Sequence, residues 1–117
     1  MAEVEDTALP GMIDDANKLL GLHAKTENDV HEALVDGQLL CNKMNQLYPE
    51  GKIKVNTSKM AFKKMENIGF FCSAVKSYGI REEYCFQTVD LYESKNMRQV
   101  LICLSNLYKM AKEKRQI

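Results

Sequence analysis

The amino-acid sequence predicts an all-α domain, and three observations carry that prediction. Apolar residues recur at three- and four-residue spacing in four separate segments. The one alternating stretch, Lys52 to Asn56, has no second strand to pair with, and glycine or proline falls between the periodic segments. A chain of 117 residues has room for one core, large enough to fold without disulfides or metals.

From Gly11 to Leu22 the apolar residues are Met12, Ile13, Ala16, Leu19 and Leu20, one face of a helix that Gly21 is placed to stop. Residues 23–33 are polar and read as a loop with a short turn. Asp36-Gly37 announces the next helix, with Asp36 placed to accept from free N–H groups of the first turn. Leu39, Leu40, Met44 and Leu47 form its apolar face, and Pro49-Glu50-Gly51 ends it. Residues 52–56 then read as an extended connector.

A long helix follows over residues 58–79, with Met60, Phe62, Met65, Ile68, Phe71, Cys72 and Val75 as its apolar set, Met60 and Phe62 alternatively in a separate short turn, and Gly79 at a left-handed C-cap. Residues 80–93 read as one or two helical turns that bury Ile80, Phe86, Val89 and Leu91. Asn96 is a good N-cap for the last helix. Its stripe, Met97, Val100, Leu101, Leu104, Leu107, Tyr108 and Ala111, is the clearest in the chain.

Composition narrows the function. Hydrophobic residues at 45% and charged residues at 27% are ordinary for a soluble globular domain. The acidic N-terminus has no apolar run and is not a secretory signal, and no stretch approaches the roughly 20 apolar residues of a membrane span. A cytoplasmic protein is expected, without membrane insertion. Cys41, Cys72, Cys85 and Cys103 form no C-x-x-C pair and each sits beside a large apolar residue, which reads as small buried hydrophobes. Net charge is zero but uneven: residues 1–37 hold nine acidic and two basic side chains, residues 38–117 seven and fourteen. The C-terminal part is therefore the one suited to an acidic partner.

The residues of catalysis are not assembled. There is no phosphate-cradling G-x-x-x-x-G-K-[ST] and no G-x-G-x-x-G. His23 and His31 lie in the polar segment without a third ligand at zinc spacing, and read as surface histidines. Asp90 and Glu93 stand close together beside Lys95 and Arg98, where capping and surface charge explain them better than acid–base work. Lys52, Lys54, Lys59, Lys63 and Lys64 cluster, but aromatics do not interleave with them as nucleic-acid binding requires. No enzyme, no cofactor, no metal and no nucleic acid is expected.

In order, Asp36-Gly37 with Leu40-Cys41 and Asn45, then Met65-Glu66-Asn67-Ile68 with Phe71 and Tyr78-Gly79, then Asp90-Leu91-Tyr92 with Asn96-Met97 and Gln99-Val100, form a pattern. It resembles the calponin homology domain, in the single-copy variety of calponin, transgelin and some Rho exchange factors. The resemblance covers roughly residues 9 to 112. It implies four main helices with short connecting ones, no catalytic activity, and a structural elbow at Asp90-Leu91-Tyr92. The family commonly carries tryptophan about where Asp15 stands and another near Phe62. The resemblance thus implies Phe62 as a substitute aromatic anchor, and a first helix held less tightly or in another register.

Calponin homology domains bind filamentous actin well mainly as tandem pairs, so the resemblance implies weak or auxiliary actin binding by a single copy. The alternative is an adaptor or autoinhibitory module that masks a neighbouring domain of its own chain, such as a Rho guanine-nucleotide exchange domain. Arg98, Ser105, Lys109 and Lys112 are read as one polar stripe on the last helix, extended by Lys114 and Arg115. With Lys18 on the first helix, the cations of that stripe are the candidate contacts to actin or another partner. The expected organisation is an acidic tail over residues 1–8, a monomeric domain over 9–114, and a linker beginning at 115–117. The last helix ends without a recognisable cap, so a longer, cytoskeleton-associated protein is expected to continue beyond it.

Overall fold

The computed structural model describes the backbone from Ala2 to Ile117 and side chains from Leu9 onward. The acidic tail expected over residues 1–8 falls outside the described side chains. The helices are α1 (Ala2–Leu20), α2 (Glu27–Leu34), α3 (Gln38–Leu47), α4 (Ala61–Tyr78), α5 (Thr88–Tyr92) and α6 (Met97–Glu113). Short 3₁₀ turns lie at Pro49–Gly51 and Glu82–Tyr84, and no strand forms among the described residues. The all-α expectation holds.

α1 buries Met12, Ile13, Ala16 and Leu19, the predicted face, and it packs along α6. It runs on through Pro10 and Gly11, where poor helix formers mark a start in the sequence. Leu9 packs against the core and extends the apolar face to that side of them. Gly21 takes a left-handed φ of 71° to close the helix. The two helices run in the same direction: Asp15 meets Ser105, and three residues on Lys18 comes beside Tyr108.

Polar composition conceals α2, which replaces the expected loop. Thr26 Oγ1 accepts from the Asp29 N–H at 3.1 Å, and Asp29 accepts from the N–H groups of Thr26 and Lys25. This reciprocal box holds the Asp29 carboxyl below its usual pKa and orders the first turn, so Val30 and Leu34 can be fully buried.

At the start of α3, Asp36 Oδ1 accepts from the Gln38 N–H at 2.9 Å, as predicted. Gly37 has φ 75°, and a Cβ there would lie 2.5 Å from the Asn67 Cβ. The buried face is Leu40, Cys41, Met44 and Leu47; Leu39, expected inside, is 40% exposed.

The approach at Gly37 serves the joint between α3, α4 and the connector. Asn67, 1% exposed, donates to the carbonyls of Asp36 and Asn56 and accepts from the Asn56 N–H, each at 2.9 Å. The Cys41 thiol donates to the Asn67 backbone carbonyl. Asn45 bonds both backbone groups of Ile53, and Asn17 those of Ala24. Each asparagine thus fastens a segment without secondary structure through its backbone. Of the blocks in the sequence pattern, Asp36-Gly37 and Met65-Glu66-Asn67-Ile68 are the two sides of one joint.

α4 departs from its predicted face. Phe62 is 57% exposed, with Lys63 over its ring, and Met60 is 58% exposed, so Phe62 is not an aromatic anchor in the core. Aromatic contacts in the core are instead Phe71 against Phe86 and Tyr78 against Tyr48. The helix starts one turn too early for Phe62 to reach the interior, which begins at Asn67 and Ile68.

α6 begins on Asn96, whose side chain accepts from the Gln99 N–H as expected. Its end differs from the prediction. Gln116 N–H returns to the Ala111 carbonyl and Arg115 N–H to that of Lys112, with Arg115 at φ 58°, a Schellman turn without glycine. Gln116 then donates to the Leu47 carbonyl and accepts from the Tyr78 hydroxyl.

Candidate partner-binding face

α6 presents its C-terminal half to solvent beside α1, and here the candidate residues separate. Lys109 and Lys112 are exposed and, three residues apart, are neighbours on the helix surface. The Lys112 ammonium sits 5.4 Å from the centre of the half-buried Tyr108 ring. Lys18 lies on the α1 side of the same tyrosine and pairs with Asp14 at 3.3 Å. That bond, with the carboxylate's charge, raises the Lys18 pKa. Lys18 and Lys112 thus approach Tyr108 from α1 and from α6, with Asp14 paired to Lys18, while Lys109 stands beside Lys112 on the exposed surface of α6.

The other three are not part of this group. Arg98 stands eleven residues before Lys109, about 16 Å away along the helix at 1.5 Å per residue, and is half-buried. The Lys114 ammonium turns inward, donating to the Tyr78 carbonyl at 3.1 Å and lying 3.9 Å from the Tyr78 ring centre. Arg115 forms the left-handed step of the closing turn. Ser105, read as a member of the exposed stripe, is 4% exposed and donates to Asp15 at 2.6 Å across the α1–α6 seam. The position where a tryptophan was expected therefore holds a polar contact to the last helix.

Sequence reasoning missed Tyr108 as a surface group, counting it only in the apolar stripe. The Tyr108–Lys112 spacing of four was its available signal.

The groups weighed for catalysis serve the fold. Asp90 accepts from the Gln87 N–H and caps α5, while Glu93 is exposed at that helix's end. His31 lies in α2, half-buried against the Tyr92 carbonyl at 3.2 Å, and is not the surface residue expected. Burial pushes the thiols of Cys41 and Cys72 up to about 12 and raises those of Cys85 and Cys103, which disfavours the nucleophilic thiolate. All four are free.

With this geometry in hand, the model of the calponin homology domain matches residues 16–113. This chain belongs to the calponin homology domain family. Muscle-specific protein 20 of Drosophila melanogaster is 49% identical over 69 residues, which are 59% of this chain and 38% of that protein. The match therefore spans well under half of that relative's length. Among solved structures, the calponin-homology domain of Rng2 from Schizosaccharomyces pombe superposes with a TM-score of 0.75 at 24% identity, covering 90% of this chain and 69% of that one. The calponin-homology domain of an IQGAP protein from the same yeast gives 0.72 at 24% identity, covering 88% and 68%. At that identity the likeness shows the calponin homology fold. No helix among the described residues is long and apolar enough to cross a membrane.

Proposed function

We propose that this calponin homology domain is a non-catalytic interaction module that contacts filamentous actin weakly, through the face around Tyr108. The observation that carries the reading is the partly exposed Tyr108 with Lys112 over its ring, Lys18 on its α1 side and the exposed Lys109 next to Lys112. An aromatic bordered by exposed cations suits an acidic filament: the charges steer the encounter and the ring supplies contact area. A single face of this size gives modest affinity, which salt weakens. The module works in the cytoplasm, as part of a cytoskeletal or signalling protein.

Co-sedimentation with filamentous actin tests this, using Lys109→Glu/Lys112→Glu beside the unaltered domain. Lys114 is left intact, since its ammonium packs against Tyr78 and its loss would disturb the fold. Saturable pelleting at physiological salt, abolished in the double variant, is the expected result. Equal pelleting of both proteins, or none of either, removes the reading. The weight then moves to a module that docks on a neighbouring domain of its own chain.

A further inference from the structure

Outside the α6 face, the connector between the Pro49–Gly51 turn and α4 borders an open groove of about 460 Å³. Its walls include Tyr48, Lys52, Lys54, Phe70, Ala74 and Ser77. Two features set its chemistry. It has two lysines and no carboxylate in its lining, with Phe70 38% exposed on its α4 side. Along the connector, Ile53 and Val55 are half-buried and Lys54 between them is exposed, the alternation of an extended chain with one face covered.

The backbone shows the same polarity. Ile53 turns both its N–H and its C=O to Asn45, at 2.8 and 2.9 Å. Successive residues of an extended chain direct these groups to opposite sides. Those of Lys54 therefore face away from α3, and among the described residues they form no hydrogen bond. Because Asn45 and Asn67 hold the connector at two points, this edge is ordered before anything binds.

We propose that the groove binds an extended acidic peptide segment of a partner protein. The segment lies along Ile53 to Val55 and bonds the free backbone edge of Lys54. Its carboxylates meet Lys52 and Lys54, and one aromatic or aliphatic side chain rests on Phe70 and Ala74. This is strand addition, in which backbone bonds supply affinity and alternate side chains supply choice. A recess between a helix and a pinned chain fits a narrow peptide better than a flat lipid surface, which a protruding apolar tip would enter. The groove shares no residue with the α6 face, so this proposal and the actin reading stand or fall separately.

The probe is a fluorescein-labelled Asp-Glu-Phe-Asp-Glu-Leu peptide, compared with Asn-Gln-Phe-Asn-Gln-Leu, by anisotropy and by amide chemical shifts. Saturable binding of the acidic probe is expected, with shifts at Lys54, Phe70, Ala74 and Ser77. Lys52→Glu/Lys54→Glu weakens it about tenfold, as two solvent-facing ion pairs would. Phe70→Ala, at a half-exposed site where folding is little affected, weakens it severalfold, and Lys109→Glu/Lys112→Glu leaves it unchanged. Equal affinity for the amide probe overturns the proposal, as do shifts confined to α6 or the absence of saturable binding. Binding to phosphatidylserine vesicles that Lys52→Glu/Lys54→Glu abolishes, without binding of either peptide, makes the face a lipid site and also overturns it.

Discussion

α4 and α6 are nearly equal in length, at 18 and 17 residues, and each carries one of the two polar side chains buried among the described residues. Asn67 in α4 bonds backbone groups of two segments remote in sequence, Asp36 and Asn56. Ser105 in α6 makes a single bond to a side chain, that of the half-exposed Asp15. The contrast separates two uses of a buried polar atom. A side chain that satisfies backbone groups on both flanks decides where a loop lies, and nothing apolar can replace it. One that meets a carboxylate reaching solvent fastens two helices already held by packing, and water can take its place.

Asn67→Ala is expected to have the largest effect. It orphans the carbonyls of Asp36 and Asn56 and the Asn56 N–H together, at a cost of about 3 kcal/mol. Urea denaturation should show that loss, and hydrogen exchange should show the connector losing protection before the helices. A loss under about 1 kcal/mol, the worth of a single ordinary hydrogen bond, would place the joint's strength in packing instead.

Gly79→Ala ranks next. Gly79 ends α4 at φ 128°, returning its N–H to Val75 and Lys76 while Ile80 closes the longer bond to Val75. A side chain there is strained whatever space surrounds it, and about 2 kcal/mol should be lost in thermal unfolding. Ser105→Ala follows at about 1 kcal/mol, because Asp15 remains near solvent and can hydrate. If Ser105→Ala proved as costly as Asn67→Ala, the distinction between the two joints would be gone.

The same pair of helices shows what the sequence made legible. α6 was readable because its apolar stripe is continuous and Asn96 caps it, and every predicted member but Tyr108 is buried. α4 was misread at its start: Met60 and Phe62 keep helical spacing with the core residues but precede the depth at which α4 meets other elements. Periodicity reports a face, and it does not report how far along that face the neighbours extend. α2 was missed because Thr26 and Asp29 form a capping box that composition alone reads as loop. Of the candidate face, the exposed Lys109 and Lys112 followed from helical geometry. Ser105 shares their side of the helix but lies one turn nearer its start, where α1 covers it, and Lys114 folds back on Tyr78. Those placements depend on tertiary contacts 90 and 36 residues away in sequence.

The ends of α4 and α6 set the finest test of the comparison. Both close in a Schellman turn, yet where α4 has Gly79 at the left-handed position, α6 has Arg115 at φ 58°. A side chain in that region costs on the order of 1 kcal/mol, and glycine removes the cost. Against this, glycine adds freedom to the unfolded chain, and the arginine charge favours the negative end of the helix. The balance leaves Arg115→Gly more stable by about 0.5 kcal/mol, read as a rise of about 2 °C in Tm. Its sign is opposite to that of Gly79→Ala, although both substitutions exchange glycine and a side chain at the same step of the same turn. A fall in Tm would mean that the Arg115 side chain contributes more than its backbone costs. Unchanged actin pelleting in the same variant would separate Arg115 from the face around Tyr108, as its place in the closing turn requires.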